Sequence, residues 1–336
     1  MAPLDRSSGR TLLLAGCVGL ALGCGDEAPA PAGEATKAAA DSIAADSAAH
    51  AAGAGEPTRI QIVGVELRVF EDAVVRVRRL EGTVAGDRPG EPIALDDPNR
   101  YTIEIESGET WIGYADLSRV MNDYTFAGGP VGHLEMAREE DEDERGRVEL
   151  KGRLKSGLGV PFEIEGTPEA TPDGKIRIRT EAIQALEISV GGLMHALGLE
   201  PGDILGGMEE RGLTFEGDDM ILDASRALPP PRMRGPVTAV RVEDDGLLLT
   251  FGPARRAPAG RANYLRFRHG VIKIGRMDQY DADLTITDAD PRDPFDFFGE
   301  RMNRQLAAGY SKMSEAGSLE MFVPDFDDMQ RGVELP

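Results

Sequence analysis

Aspartates are concentrated in one stretch near the C-terminal end, where carboxylates could bind a hard cation. The repeat consists of Asp281, Asp283, Asp288, Asp290, Asp293 and Asp296. Calcium prefers several carboxylate oxygens, but the spacing and the missing central glycine exclude an EF-hand loop. Turns and helix N-caps also favour aspartate at such positions. We therefore predict no metal site, and calcium at this repeat is the alternative.

The other residues able to do chemistry form no recognisable catalytic or cofactor motif. The four histidines are His50, His133, His195 and His269. They include no pair at the helical zinc-binding spacing, and the chain has no nucleophile elbow, phosphate loop or dinucleotide fingerprint. Acidic residues are so numerous that no hydrolytic carboxylate pair stands out. We expect a protein without enzyme activity or cofactor, and a hydrolase with unassigned carboxylates ranks third among the functions.

The two cysteines, Cys17 and Cys24, both lie near the N-terminus, beside an apolar run. Residues 11–23 carry no charge, and their length suits a signal-peptide core of about 7–15 residues better than a bilayer span of about 20. Residues 20–23 followed by Cys24 resemble a bacterial lipobox. This resemblance implies cleavage of the signal peptide, residues 1–23, and diacylation of Cys24. Residues 14–16 match the tetrapeptide better before Cys17 but leave a shorter apolar run, so Cys17 remains the alternative.

The predicted location is the cell envelope, with the protein held by its acyl chains. Gly25 stands directly after the modified cysteine. By resemblance to lipoproteins in which an aspartate at this place causes inner-membrane retention, glycine favours the periplasmic face of the outer membrane. A cleaved signal peptide followed by a protein without a lipid anchor is the other interpretation.

Residues 24–57 are predicted to form a disordered, alanine-rich tether behind the lipidated cysteine. Residues 25–56 contain 14 alanines and no aromatic side chain. Such a segment cannot bury enough apolar surface to offset its conformational entropy. The folded body therefore begins near Thr58.

From Thr58 onwards, apolar and polar residues alternate with a period of two, which is typical of half-buried antiparallel strands. Turn sequences at 172–174 and 244–246 lie between such runs and predict hairpins. The acidic run at 139–144 is read as a solvated hairpin loop. The pattern predicts an α+β fold dominated by antiparallel sheet.

Three apolar stripes at helical spacing predict the helices. The first covers residues 115–124 and the second lies near 193–199, while a third is expected to begin at the N-cap Asp293. The stripes comprise Leu117, Val120, Met121 and Tyr124, then Leu193, Met194 and Leu197, then Phe295, Phe298, Met302 and Leu306.

The order of these elements between residues 60 and 252 resembles bacterial members of the tubular lipid-binding (TULIP-like) superfamily. The resemblance rests on the helix at 117–126, the strands at 148–178 and the glycine-flanked apolar segment at 188–199. It implies a long curved sheet that wraps one or two amphipathic helices and encloses acyl chains. The expected groove residues are Leu117, Met121, Tyr124, Leu193, Met194 and Leu197. Ordinary core packing by the same residues is the competing interpretation.

The expected function is therefore non-catalytic binding or shuttling of a lipid or other apolar molecule by a body at 58–252. Residues 253–336 are predicted to form a strand and helix extension. Its acidic and aromatic character supports the alternative function, a scaffold that docks an envelope protein. The net charge of −22 argues against nucleic-acid binding and against electrostatic adsorption to anionic membranes. Membrane attachment is thus expected to depend on the acyl anchor.

Overall fold

The computed structural model describes residues 56–129, 131–139, 146–155, 159, 161–184, 209–255, 262–315 and 317–332. All of them belong to one compact unit, Ser47–Pro336. The predicted signal peptide, the lipidation site and the tether up to residue 55 lie outside the described residues. The second predicted helical stripe, with Leu193, Met194 and Leu197, lies outside them as well.

Within the described residues the chain is mostly strand, as the period-two alternation predicts. The first ten strands are β1 Thr58–Phe70, β2 Ala73–Gly86, β3 Ile93–Ala94, β4 Tyr101–Gly113, β5 Val131–Glu139, β6 Arg147–Leu154, β7 Pro161–Ala170, β8 Ile176–Gln184, β9 Leu213–Glu216 and β10 Asp219–Leu222. They are followed by β11 Arg232–Arg234, β12 Val237–Val242, β13 Gly246–Phe251, β14 Tyr264–Arg268, β15 Val271–Ile274, β16 Met277–Tyr280, β17 Asp283–Asp288, β18 Phe295–Phe298, β19 Tyr310–Met313 and β20 Leu319–Val323.

The helices of the described residues are short. They are α1 Tyr114–Val120, which continues as one π-helical turn over Met121–Thr125, then α2 Ala224–Ala227, α3 Met302–Ala308 and α4 Phe326–Arg331. Two 3-10 turns cover Pro98–Arg100 and Gly299–Arg301. Among these segments none combines the length and the apolar character that a bilayer crossing requires.

The largest sheet has eleven strands, and its main path is β12-β13-β4-β2-β1-β14-β17-β20-β19. Most neighbours along it are antiparallel, whereas β17 and β20 run parallel, as do the side pairs β1 with β18 and β4 with β11. Strands from the C-terminal segment therefore pair directly with β1. The boundary that the sequence analysis draws at 252/253 falls inside this sheet.

The second sheet has six strands in the order β5-β6-β7-β8-β10-β9, and all its pairs are antiparallel. The predicted hairpins are confirmed for β7 with β8 and for β12 with β13. Gly174 supplies the positive φ of +83° that the β7–β8 turn needs. β5 and β6 also form a hairpin, although residues 140–145 of its acidic loop are outside the described part. A three-stranded sheet, β16-β15-β3, completes the fold.

The predicted α+β fold with mostly antiparallel sheet is confirmed, and its buried side chains form two hydrophobic clusters. The first cluster centres on the strands around β1, β14, β17 and β18, and it includes the fully buried Phe295, Leu284 and Ile286. The second cluster brings side chains of the large sheet together with α1 and the six-stranded sheet. Alternate residues point into these clusters because successive strand side chains face opposite sides.

The prediction of a helix beginning at Asp293 is wrong in its first half. Phe295–Phe298 form β18, which runs parallel to β1 with Val65 opposite Phe295, and all four residues are buried. Aromatic residues fit a sheet that is covered on both sides, and this tertiary pairing overrides the local capping signal. The helix, α3, begins only at Met302 and ends before Gly309.

Candidate apolar ligand cavity

A cavity of about 80 Å³ lies between the large sheet and the six-stranded sheet, and members of both hydrophobic clusters line it. The large sheet contributes Val75, Thr110, Ile112, Met233, Leu247, Leu249 and Phe251, and the smaller sheet contributes Met136, Leu150, Pro168, Ile176, Ile178, Leu213, Met220 and Leu222. The helices and their flanks supply Leu117, Val120, Met121, Thr125, Phe126, Ala224, Ala227 and Leu228. Both sheets and the helices thus contribute walls to the cavity.

The lining carries no ionisable side chain among the described residues, and its polar side chains are two threonines. Thr125 is buried, and its hydroxyl donates a hydrogen bond of 2.9 Å to the backbone oxygen of Ala227. An unpaired polar group would bind poorly here because it would lose its hydration without compensation. The cavity therefore suits hydrocarbon and excludes charged ligands from its interior.

The alternation along the strands produces this separation of apolar interior and charged exterior. On β8, Ile176 and Ile178 face the cavity. The alternate residues Arg177 and Arg179 face outward. Arg177 pairs with Glu216 at 2.6 Å, and Arg179 pairs with Glu169 at 2.8 Å. The charges are thus satisfied on the wet face, and the opposite face remains free for apolar contacts.

Helix α1 and the π-helical turn that follows it close one side of the cavity, because their side chains cover the edge strand β5. The amide of Asn122 donates to the backbone oxygen of Leu134 at 2.7 Å and accepts from the nitrogen of the same residue at 2.9 Å. The Ser118 hydroxyl accepts from the backbone nitrogen of Met136 at 2.9 Å. These bonds satisfy backbone groups that an edge strand would otherwise leave unpaired.

Both ends of this helical segment are also fixed. The Tyr114 hydroxyl donates to the backbone oxygen of Glu243 at 2.9 Å, and burial raises the pKa of Tyr114 to about 12, so it remains a neutral donor. At the other end, the Arg211 guanidinium donates to the backbone oxygens of Tyr124, Thr125 and Ala127, at 3.1, 3.2 and 2.7 Å. A cation is favourable there because the last carbonyls of a helix carry partial negative charge.

The structure places the predicted groove residues unequally. Leu117 and Met121 line the cavity. Tyr124 is outside the lining, and its ring lies 6.5 Å from that of Phe70. Leu193, Met194 and Leu197 are outside the described residues.

Sequence reasoning missed two positioning residues, Asn122 and Arg211. No local signal marks either of them, because their partners are backbone atoms of distant or irregular segments. It also left out the strand residues of the lining, although their period-two pattern offered a usable signal. Those residues are recognisable as cavity walls only when the two sheets are stacked.

The size of the cavity limits what fits the present conformation. An apolar cavity of about 150 Å³ accommodates one benzene molecule, so 80 Å³ admits only a short part of an acyl chain. A longer chain requires the walls to separate.

The aromatic side chains of the C-terminal segment are mostly unavailable for docking a partner. Phe295, Phe297, Phe298 and Phe326 are all buried. Tyr310 is 46% exposed and stacks on Phe322 with 4.9 Å between ring centroids. The aromatic content that motivated the scaffold alternative is thus largely core.

Comparisons with known proteins give no further guidance: no family model, no curated protein and no solved structure matches this chain.

Proposed function

We propose that this protein is a lipid-anchored envelope protein that binds an acyl chain or a similar apolar molecule between its two sheets, without catalysis. The observation that carries the proposal is the cavity between the sheets whose lining, in the described residues, has no ionisable side chain. Ligand sites for apolar molecules are concave and mostly hydrophobic. The TULIP-like arrangement, with a sheet wrapped around helices and lipid, belongs to this proposal.

A lipid is favoured over a small rigid ligand because a chain can enter by its end. The apolar tip occupies the cavity, and the polar headgroup stays outside, where charged side chains line the strand faces. Each buried methylene contributes about 0.8 kcal/mol of binding free energy. Burial of further methylenes therefore offsets the cost of separating the cavity walls. Met121, Met136 and Met220 line the walls, and methionine side chains repack easily around ligands of different shape.

The anchor and the cavity have separate roles in this proposal. Acyl chains on Cys24 hold the protein at the membrane, and the strongly negative chain does not adsorb to anionic lipid by itself. Cys24→Ala is expected to release the protein from the membrane fraction. Cys17→Ala is the matched control and should leave it attached. Release by Cys17→Ala alone would assign the modification to Cys17, and membrane retention of the double variant would exclude an acyl anchor.

Native mass spectrometry of the full chain, extracted from bacterial envelopes, tests the ligand directly. A bound lipid should appear as an added mass in the native spectrum and vanish in the denaturing spectrum, whereas covalent acyl chains persist in both. Chains that carry no removable mass under native conditions would contradict the proposal.

A further inference from the structure

Three carboxylates from two separate stretches of the sequence meet at the ends of two parallel strands. Asp288 is the last residue of β17 and lies opposite Val323 of β20, and Asp325 follows two residues later. Carboxyl ends of parallel neighbours meet at the same edge of a sheet, which brings the two aspartates together. Asp293 approaches from the connection between β17 and β18. One carboxylate oxygen from each residue lies within 4.8 Å of the other two.

Two of the three aspartates in this group are buried, and their charge is not balanced. Asp288 is 4% exposed and Asp325 is 7% exposed. Oδ1 of Asp288 accepts a hydrogen bond of 2.7 Å from the backbone nitrogen of Asp290, but its Oδ2 is fully buried and has no hydrogen-bond partner. Oδ1 of Asp325 accepts one bond of 2.6 Å, from the backbone nitrogen of Asp296. A buried, unpartnered carboxylate oxygen is costly and requires a specific explanation.

The neighbouring cations are engaged with other carboxylates. Arg68 binds Asp296 at 2.7 Å and Asp327 at 2.9 Å, and Arg292 pairs with Asp290. Across the described ranges no lysine or arginine forms an ion pair with any member of the triad. Burial is the largest cause that raises the pKa of Asp288 to about 7 and that of Asp325 to about 8, and the neighbouring carboxylates add to it. The triad therefore lacks a positive partner.

We propose that Asp288, Asp293 and Asp325 form a calcium-binding site that ties the ends of β17 and β20 to the connection before β18. Calcium binds oxygens at about 2.3–2.6 Å, so two of its ligands are at most about 4.6–5.2 Å apart, and the triad satisfies this limit. The unpartnered Oδ2 of Asp288 provides a ligand that no protein donor occupies. Magnesium requires near-ideal octahedral geometry and usually keeps several waters, so a site built of three carboxylates suits the more flexible coordination of calcium.

The proposal is independent of ligand binding in the apolar cavity, because the triad shares no residue with the cavity lining. The cation's structural effect is to hold together three segments that come from different parts of the C-terminal sequence. Calcium is expected to raise the melting temperature of the protein because it binds the folded state alone.

Calcium titration of the full chain, after removal of divalent cations with EDTA, tests the site by calorimetry and by thermal unfolding. One calcium per chain should bind, with a weaker response to magnesium. Asp293→Asn alters an exposed residue, so the variant should fold and bind calcium at least about tenfold more weakly. Asp288→Asn should abolish the calcium-dependent rise in melting temperature. Asp281→Asn is the matched control, because Asp281 is an exposed aspartate outside the triad with a positive φ that asparagine tolerates.

Calcium binding that is equal in wild type, Asp293→Asn and Asp288→Asn would overturn the proposal. The absence of any calorimetric or thermal response to millimolar calcium in the wild-type chain would overturn it too. A loss of binding in Asp281→Asn that equals the loss in Asp293→Asn would show a diffuse acidic effect and likewise contradict the site.

Discussion

The cavity between the sheets and the aspartate triad at the ends of β17 and β20 both involve buried side chains, but they differ in polarity and in charge balance. The cavity has space and almost no polar groups, whereas the triad concentrates carboxylates with which no lysine or arginine of the described residues forms an ion pair. A protein interior normally closes apolar space by packing and balances charge by pairing. The unfilled apolar space and the unbalanced charge share no residue, and they point to two different ligands.

Elsewhere in the described residues, apolar side chains fill their space and a buried charge is paired. The first cluster packs Phe295, Leu284 and Ile286 at no exposure, and close to the triad Arg68 neutralises the buried Asp296. The departures are therefore local and do not reflect a generally loose or poorly balanced fold. This contrast can be tested by paired substitutions, one in each environment.

The largest expected effect compares a leucine in packed surroundings with one beside the cavity. Leu284→Ala in β17 should lower the free energy of unfolding by about 4–5 kcal/mol, and Leu249→Ala in β13 by about 2–3 kcal/mol. Leu249 borders empty space and loses fewer van der Waals contacts on truncation. Urea unfolding of both variants measures the difference. Equal losses would indicate that the cavity walls are as tightly packed as the rest of the core.

The next effect concerns compensated charge. Arg68→Met should destabilise the protein by about 3–5 kcal/mol, because it leaves the buried Asp296 without its partner. Arg179→Met, which removes an exposed pair with Glu169, should leave the free energy of unfolding nearly unchanged, because solvent screens the pair. Both variants can be followed by chemical denaturation at pH 7. A small effect for Arg68→Met would show that water screens this pair. Asp296 would then not differ from the triad as a charge-balanced buried carboxylate.

A smaller effect is expected in the pH dependence of the cation-free protein. The raised pKa values of Asp288 and Asp325, about 7 and 8, mean that the folded state holds protons which the unfolded state releases near pH 4. The stabilisation from these protons is complete below pH 4 and is lost as pH rises through 7 and 8. Denaturation in EDTA should therefore show stability falling between pH 5 and pH 8.

The substitution Asp288→Asn should flatten that fall, since one titrating carboxyl is removed. At pH 8 the variant should exceed the wild type in stability by on the order of 1 kcal/mol, because a buried charge is gone. Asp281→Asn should retain the wild-type profile. Identical dependence of stability on pH in wild type and Asp288→Asn would show that other groups cause the pH dependence.

Much of the sheet could be predicted because its strands alternate locally, and the hairpins around 172–174 and 244–246 carry their own turn residues. The start of the last predicted helix could not be predicted, because Asp293 and Pro294 imitate a helix start. The parallel pairing of Phe295–Phe298 with β1 joins residues more than two hundred positions apart, so no local pattern indicates it. Locally, aspartate after a strand indicates only a turn or a cap.

The two sites likewise contain residues that local patterns predict and residues that only long-range pairing brings in. Leu117 and Met121 could be found from helical periodicity, but the opposite wall from β8 and β10 depends on how two sheets stack. The triad could not be found from the aspartate repeat, because its third member, Asp325, lies far outside the repeat and only the β17–β20 pairing brings it in.

The most direct test of the central claim, an apolar ligand between the sheets, is the amount of non-covalently bound lipid per chain in organic extracts of purified protein. Leu117→Trp fills the cavity from α1, and Leu319→Trp places the same side chain against the first cluster as a control. We predict bound lipid in the wild type and in Leu319→Trp, and at least about tenfold less in Leu117→Trp, because the indole occupies the ligand's space. Lipid-free wild-type protein, or equal lipid in Leu117→Trp, would contradict the account.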